Sequence, residues 1–268
     1  MNKPHILLTN DDGIRSPGLW AAAAALSDLG FVTVTAPRDQ SSGMGRSLPN
    51  SSDGIIREER VQVKGQEWSV YSVGGSPAQA VLHAILEVMP QKPDLVVSGI
   101  NYGENVGLGI TISGTIGAAM EAGALGFPAL AVSLEAAQQY HLSYSTDVDF
   151  AVAAHFTATF ARWMLEKRFA SEDVNLVKVD VPSDATPETP WQLTRVARQR
   201  YYEPLPPQRA SWGEPGNLSY REAALLEKED ESSDVFVLRR KRLVSVTPLS
   251  LDLTARVDLG EFEKKLRG

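Results

Sequence analysis

The run His5-Ile6-Leu7-Leu8-Thr9 breaks into Asn10-Asp11-Asp12-Gly13, and this join decides how the chain reads. A short apolar run of that length suits a buried strand, and Asn, Asp and Gly are turn residues. Pro17-Gly18-Leu19-Trp20 then opens an Ala/Leu-rich stretch with helical spacing to about Leu29, closed by Gly30. Phe31-Val32-Thr33-Val34-Thr35-Ala36 is a second β-branched run, stopped by Pro37. Strand, helix and strand within about 30 residues make a βαβ crossover, which implies a parallel sheet covered by helices.

The same grammar recurs downstream. Ser76-Pro77 begins a helix running to about Met89, and Asp94-Leu95-Val96-Val97-Ser98 reads as a buried strand before a glycine-rich loop over 99–112. Ser113-Gly114-Thr115 starts a helix ending near Gly126, and Pro128-Ala129-Leu130-Ala131-Val132-Ser133 is another strand. Residues 146–167 predict a long amphipathic helix, with Asp147 and Asp149 in its first turn and Lys167-Arg168 at its end complementing the dipole. A further strand follows over 174–179. We read residues 1–185 as one doubly wound α/β core, its sheet mostly parallel with helices on both faces.

After Pro182 the pattern changes. Prolines 187, 190, 204, 206, 207 and 215 punctuate the chain, and 227–234 is rich in acid and serine. Strand-like pieces at 193–196 and 243–246 stand between them, and 260–265 reads as a terminal helical turn. Residues 186–268 are expected to form an extended arm or hairpin packing on the core or on a neighbouring subunit. The chain shows no internal repeat.

Composition narrows the class of function. The 268 residues are 43% hydrophobic and 22% charged, the balance of a globular chain. With no cysteine there is no disulfide framework, thiolate metal site or cysteine nucleophile. The N-terminus Met1-Asn2-Lys3-Pro4-His5 has no signal-peptide pattern, and no apolar run reaches the ~18 residues of a membrane span. The expectation is a cytoplasmic protein without a membrane partner. A net charge of -7 speaks against polymeric nucleic acid as its main partner.

Ligands of an open parallel sheet bind beyond the carboxyl ends of its strands, near the point where strand order reverses. Three loops lie there. In the first, Asp11-Asp12 sets two adjacent carboxylates on a strand end, and Gly13 permits the sharp turn that one metal would need to take both. Like charges about 4 Å apart repel by ~4 kcal/mol at an effective dielectric of ~20, which favours a bound cation or a shared proton; a plain turn is the competing reading. The second loop, Arg38-Asp39-Gln40-Ser41-Ser42-Gly43-Met44-Gly45-Arg46-Ser47, can offer amides and hydroxyls to an anion or metal, or be only a flexible surface loop. The third, Ser98-Gly99-Ile100-Asn101-Tyr102-Gly103-Glu104-Asn105-Val106-Gly107-Leu108-Gly109, carries oxygen ligands suited to a hard cation such as magnesium or manganese. Just past it, Ser113 is an N-cap or part of a phosphate-binding helix start. None of His5, His83, His141 and His155 pairs at metal-ligand spacing; carboxylates in the first turn disfavour a dinucleotide-binding dehydrogenase, and no P-loop or nucleophile elbow is present.

Together these segments resemble the SurE (survival protein E) family of metal-dependent nucleotidases. The resemblance rests on Ile6 to Ile14 with Pro17-Gly18, Ala36-Pro37, Ser42-Gly43, Ser47, Val97-Ser98-Gly99-Ile100-Asn101, Gly103, Asn105, Gly107, Ser113-Gly114-Thr115, Ala119-Met120-Glu121 and Gly126 to Ser133. Thr194-Arg195 and Val244 to Leu249 extend it near the end. It implies a Rossmann-like fold, with one divalent cation per subunit (Mg2+ or Mn2+) held by Asp11, Asp12, Ser42 and Asn101. It also implies Asp11 and Asp12 as catalytic residues. Substrate or phosphate contacts would come from Asn10, Ser42, Gly43, Asn101, Asn105, Ser113, Gly114 and Thr115. Further implications are a homodimer or homotetramer exchanging its C-terminal segment, and hydrolysis of nucleoside 5′- and 3′-monophosphates. Two departures stand out. The family's Gly-Thr-Pro-Ala-Asp-Cys run is Gly75-Ser76-Pro77-Ala78-Gln79-Ala80 here, which bears on the pocket rim or an interface; and 209–234 matches little.

The expected chemistry is metal-assisted attack on a phosphomonoester, with Asp11 as base or acid for water or an aspartate attacking directly. The water route is preferred, because no second Asp sits two residues on as in haloacid-dehalogenase-type phosphatases. The rivals are a broad-specificity phosphatase or exopolyphosphatase on the same site, and a non-catalytic nucleotide- or metal-binding module.

Overall fold

The computed structural model describes residues 3–167, 173–223 and 230–268. Strand β1 (His5–Thr9) leads through α1 (Pro17–Leu26) to β2 (Phe31–Pro37), followed by β3 (Ile56–Val63), β4 (Gln66–Val73) and α2 (Pro77–His83). Next come β5 (Leu95–Tyr102), α3 (Gly114–Ala124), β6 (Ala129–Leu134), α4 (Ala151–Lys167) and β7 (Leu176–Val181). The chain ends with β8 (Trp191–Leu193), β9 (Tyr202–Leu205), β10 (Ser219–Glu222), α5 (Asp234–Arg239), β11 (Val244–Leu249) and α6 (Leu259–Arg267). Nine strands form one sheet in the order β3-β4-β2-β1-β5-β6-β7-β11-β8, while β9 and β10 form a separate antiparallel pair. The central strands are parallel. Antiparallel pairing is confined to β3–β4 and to β7–β11. This is the α/β architecture expected from the sequence.

Both faces of the central strands are buried, which is why they read as unbroken apolar runs rather than alternating ones. On one face Ile6, Leu8, Leu95, Val97, Leu130, Val132, Val177 and Val179 pack against α1 and α4. On the other, Leu7, Val96, Ala129, Ala131 and Leu176 meet α2 and α3 through Val81, Ile116, Ala119 and Ala122. The chain moves from β1 outward to β2 and β4, then returns across β1 to β5. Strand order therefore reverses between β1 and β5, and the loops after these two strands share one crevice.

Several boundaries differ from the sequence reading, for local reasons. Helix α1 stops at Leu26, and the segment to Gly30 is a turn with Gly30 N–H on Leu26 O. The strand expected to end at Ser98 runs on to Tyr102 through an irregularity in its pairing with β6, so Asn101 belongs to β5 rather than to a loop. Helix α4 starts at Ala151: Asp147 and Asp149 precede its first turn, where Asp149 Oδ1 accepts the Ala151 N–H. Arg168 lies outside the described residues. The β3–β4 hairpin, which pairs register-for-register at the sheet edge, has no counterpart in the sequence reading; β3 is largely polar and exposed, while β4 buries Val70, Ser72 and Val73.

The segment after 185 divides three ways. Strands β11 and β8 enter the main sheet beside β7, β9–β10 stand apart, and α6 carries no buried residue.

Candidate active site

The first βα turn is held by its own side chain. Asn10 Nδ2 donates to Gly13 O at 3.0 Å and its Oδ1 accepts the Gly13 N–H at 3.1 Å. Gly13 sits at φ +94°, a conformation that disfavours any side chain. Both ends of the Asn10 amide are thus engaged in the turn, so the residue shapes the site that it was expected to offer to substrate.

That turn buries the two acids it carries, Asp11 at 3% exposure and Asp12 at 0%. Asp11 Oδ1 accepts a short hydrogen bond from the Thr115 hydroxyl. The backbone amides of Gly114 and Thr115, at the head of α3, face the Asp11 carboxylate and favour its charged form. Position 114 must be glycine for this approach: a Cβ there would lie 2.6 Å from Asp11 Cβ. Asp12 Oδ2 accepts the Tyr102 N–H at 3.3 Å, and Oδ1 receives a long contact of 3.4 Å from Gln40 Nε2. Burial raises the Asp11 carboxyl above its ordinary value, opposed by the Thr115 bonds. Burial, then the charge of Asp11, drives Asp12 well above the ordinary range. No Lys, Arg or His pairs with either acid among the described residues.

The second loop is bound to the same spot. Ser41 N–H donates to Asp11 O at 2.7 Å, and Gly45 N–H to Ile112 O at 2.9 Å. Arg46 pairs with Glu121 of α3 at 2.6 Å, and Arg38 with Asp39 and Asp53 at 3.1 and 3.2 Å, so both loop arginines already have carboxylate partners. Ser42 and Gly43 follow directly and are exposed.

From the third loop, Asn101 Nδ2 donates to Tyr102 O at 3.2 Å and Gly103 O at 2.7 Å, which commits its amide nitrogen and leaves Oδ1 as an acceptor. Asn105 Nδ2 donates to Ser133 Oγ at 2.8 Å. Ser113 is the N-cap of α3, its Oγ accepting the Ile116 N–H at 3.1 Å while its own proton stays available. Thr9 Oγ1 and Ser98 Oγ, register partners on β1 and β5, are buried without a hydrogen-bond partner among the described residues.

Some participants were not anticipated. Gln40 links Asp12 to His141 O, 2.9 Å away, and Tyr144 brings its hydroxyl against Gly13. Beside them opens a recess of about 400 Å³ lined by Ile14, Arg15, Arg38, Gln40, Arg57 and Tyr144 among others. Nothing in the local spacing of 140–144 marks these residues. Gln79, the departure from the family run, closes a capping box with Ser76 and donates to Pro49 O at 3.1 Å, so here an amide organises the start of α2. Among the described residues no group of three or more His, Asp or Glu is placed to hold a metal. The oxygens available at the crevice come from two acids, Asn101 and the serine loop. No described helix is long and apolar enough to cross a membrane.

Comparison with known proteins agrees with this arrangement. The family model described as Survival protein SurE matches residues 6–203. The 5′-nucleotidase SurE of Thermococcus gammatolerans is 43% identical over 263 residues, covering 98% of this chain and 96% of its own. That of Methanosarcina acetivorans is 38% identical over 275 residues, covering 98% of both. The crystal structure of the SurE protein from Aquifex aeolicus matches with a TM-score of 0.75 at 31% identity, over 99% of this chain and 100% of that one. A likeness that extends from the β1 turn through almost the whole length leaves one assignment: the chain belongs to the SurE family.

Proposed function

We propose that the chain is a divalent-metal-dependent phosphomonoesterase that hydrolyses nucleoside 5′- and 3′-monophosphates to nucleoside and phosphate. One observation carries the reading: Asp11 and Asp12 are buried side by side at the reversal point of the sheet with no cationic partner among the described residues. The relatives named 5′-nucleotidase SurE support the substrate class.

The donors fit a hard cation. Two carboxylates, the free Asn101 Oδ1 and the Ser42 hydroxyl are all oxygens, the set that magnesium and manganese prefer. Bound there, such an ion supplies Lewis-acid polarisation of a phosphoryl oxygen. The chain does the rest. Ser113 has a proton to donate to an equatorial phosphate oxygen. Asn105, fixed through Nδ2 to Ser133, keeps its carbonyl oxygen and one N–H for the substrate. The Gly114 and Thr115 amides set the position of Asp11 and add the positive end of α3 to the site. Asp11 is assigned as the base: the Thr115 hydroxyl occupies its Oδ1 and orients the carboxylate.

A second reading, a broad phosphatase that also takes short polyphosphate, draws on the recess: Arg15 and Arg57 line it without an ion-pair partner among the described residues. Phosphate release from AMP, GMP, 3′-nucleotides, para-nitrophenyl phosphate and tripolyphosphate separates the two. Activity abolished by EDTA and restored by manganese or magnesium, with nucleotides preferred, is the expected result. Activity indifferent to EDTA would refute metal dependence, and no release at all would leave a binding module.

We also infer a homo-oligomer formed through residues 186–268. In its support, Leu259, Phe262 and Leu266 line one exposed stripe of α6, beside the exposed Leu253 and Val257. Light scattering should show a dimer or tetramer that becomes smaller when these side chains are made polar.

A further inference from the structure

Strand β7 reads Leu176-Val177-Lys178-Val179-Asp180-Val181 and is buried at every position. Lys178 and Asp180, two residues apart, share the face of the sheet that packs toward α2, α3 and α5, beside the buried hydroxyls of Ser133, Ser245 and Thr247. With Asp234, the first residue of α5, they are fully buried. Lys178 Nζ pairs with Asp180 Oδ2 and, at 3.2 Å, with Asp234 Oδ2. Burial opposes the ammonium, but the two carboxylates outweigh it and raise the Lys178 pKa.

The two carboxylates also reach main chain. Asp180 Oδ1 accepts the Asn105 N–H at 2.7 Å and Asp234 Oδ2 accepts the Gly107 N–H at 3.1 Å. Asp234 Oδ1 accepts the N–H groups of Ala197 and Val235, each at 2.9 Å. Leu108 N–H donates to Gln199 O at 3.0 Å, so the loop is held from behind over four residues.

We propose that Lys178, Asp180 and Asp234 form a buried positioning cluster for the phosphate-binding loop, fixing the main chain at Asn105 and Gly107 so that the Asn105 side chain meets the substrate. The proposal rests on the phosphomonoesterase reading for what the loop binds. Three buried charges are a poor way to stabilise a core, since apolar side chains of like volume do as well or better. They supply fixed acceptors instead. The loop carries Gly103, Gly107 and Gly109 and leaves the sheet after the Gly103 N–H bond to Leu134 O at 2.8 Å, so beyond that point its backbone is free to wander unless tethered. Asp180 reaches it from the sheet and Asp234 from α5, and Lys178 locks the two together. A shift of the loop by a fraction of an ångström weakens contacts that tighten in the transition state more than those made on binding.

The test uses the full chain. In the wild type, amide hydrogen exchange at 105 and 107 should be as slow as in β7, and at least ten times slower than at Val106, whose N–H has no hydrogen-bond partner among the described residues. Asp180→Asn and Asp234→Asn should speed exchange at 105–107 tenfold or more. With manganese and AMP, assayed well below each melting temperature, kcat should fall ten- to a hundredfold while KM moves less than threefold. Leu249→Ala, a core change on the neighbouring strand, serves as the comparator for lost stability and should keep kcat within twofold. Wild-type amides at 105 and 107 exchanging like that of Val106 would overturn the cluster even if no variant folds. So would variants with faster exchange and unchanged kcat, or an equal kcat loss in Leu249→Ala. A wild type that hydrolyses no phosphomonoester defeats the functional reading alone, and the exchange measurement still decides the cluster.

Discussion

Two pairs of buried aspartates occupy the carboxyl edge of the same sheet, and the chain treats them in opposite ways. Asp180 and Asp234 share Lys178 and also accept backbone amides. Asp11 and Asp12 have only hydrogen bonds, from Thr115, Gln40 and the Tyr102 amide, and no cation among the described residues. Charge neutralised from within makes a fixed strut. Charge left open makes a place for an ion from outside. Burial raises an acid in both regions, Asp12 with added repulsion from Asp11 and Asp180 against the opposing charge of Lys178. What differs is the cation, since the two carboxylates raise the Lys178 pKa and keep it charged. An acid with a raised folded pKa costs stability as pH climbs through the shifted range, so the open pair destabilises the metal-free protein at neutral pH.

The sharpest break of this contrast is Asp11→Asn. Turnover should fall at least about a thousandfold, roughly 4 kcal/mol of transition-state stabilisation. The metal-free variant should melt above the metal-free wild type, because one buried charge is gone. Manganese at about a hundred times its dissociation constant stabilises a binding-competent protein by ~2.7 kcal/mol, and the variant should lose most of that gain. Phosphate release and calorimetry with and without manganese measure all three. A variant that turns over AMP like the wild type, or melts as strongly upward with manganese, removes the open pair from the chemistry.

Lys178→Met acts on the closed pair and should do the reverse. Two buried carboxylates would face one another without a cation, at a cost of about 3–5 kcal/mol in urea unfolding. Adding Asp180→Asn should recover part of the loss by removing one of the facing charges. A Lys178→Met protein within ~1 kcal/mol of wild type would mean that the cluster is not closed by its lysine.

The contrast was only half legible in the sequence. Asp11-Asp12 stands out because carboxylates interrupt an apolar strand at its end, and a turn of Asn, Asp and Gly is a local signal. The parallel core was legible for a related reason: strands buried on both faces leave continuous apolar runs, as at 129–134. Lys178 and Asp180 escaped notice inside such a run, since a lysine in a strand signals burial only when its partner is known, and Asp234 lies 54 positions beyond Asp180. Strand β3, exposed and charged, carries too little apolar alternation to announce its hairpin with β4. Gln40, His141 and Tyr144 meet the site through loop packing, which no spacing rule encodes. Of the residues assigned by resemblance, Asn10 proved to bind its own turn, and Gly114 and Thr115 face Asp11.

Glu104 lies between the two regions and refines the comparison. It sits one residue before Asn105, 3% exposed, among Tyr201, Tyr202 and Arg239, whose Nη1 is 3.7 Å away, and neither of its oxygens makes a hydrogen bond of ordinary geometry. Burial above all, with help from the charge of Glu135, pushes its carboxyl up to about 7. Between the ordinary carboxylate range and pH 7 the folded protein therefore holds a proton that the unfolded chain has released. Stability falls as pH rises through that window, by on the order of 3 kcal/mol once the group is fully ionised. Glu135 slopes the other way: burial raises it, but bonds from Arg242 and Ser183 prevail and bring it down to about 2, so its contribution is present above the ordinary range and lost only in acid. Glu104→Gln keeps the shape and removes the titration. It should match the wild type near pH 4.5 and exceed it increasingly toward pH 8 in urea unfolding. A difference that stays constant across that range would show that Glu104 carries its charge at neutral pH, with Arg239 serving it as Lys178 serves Asp180.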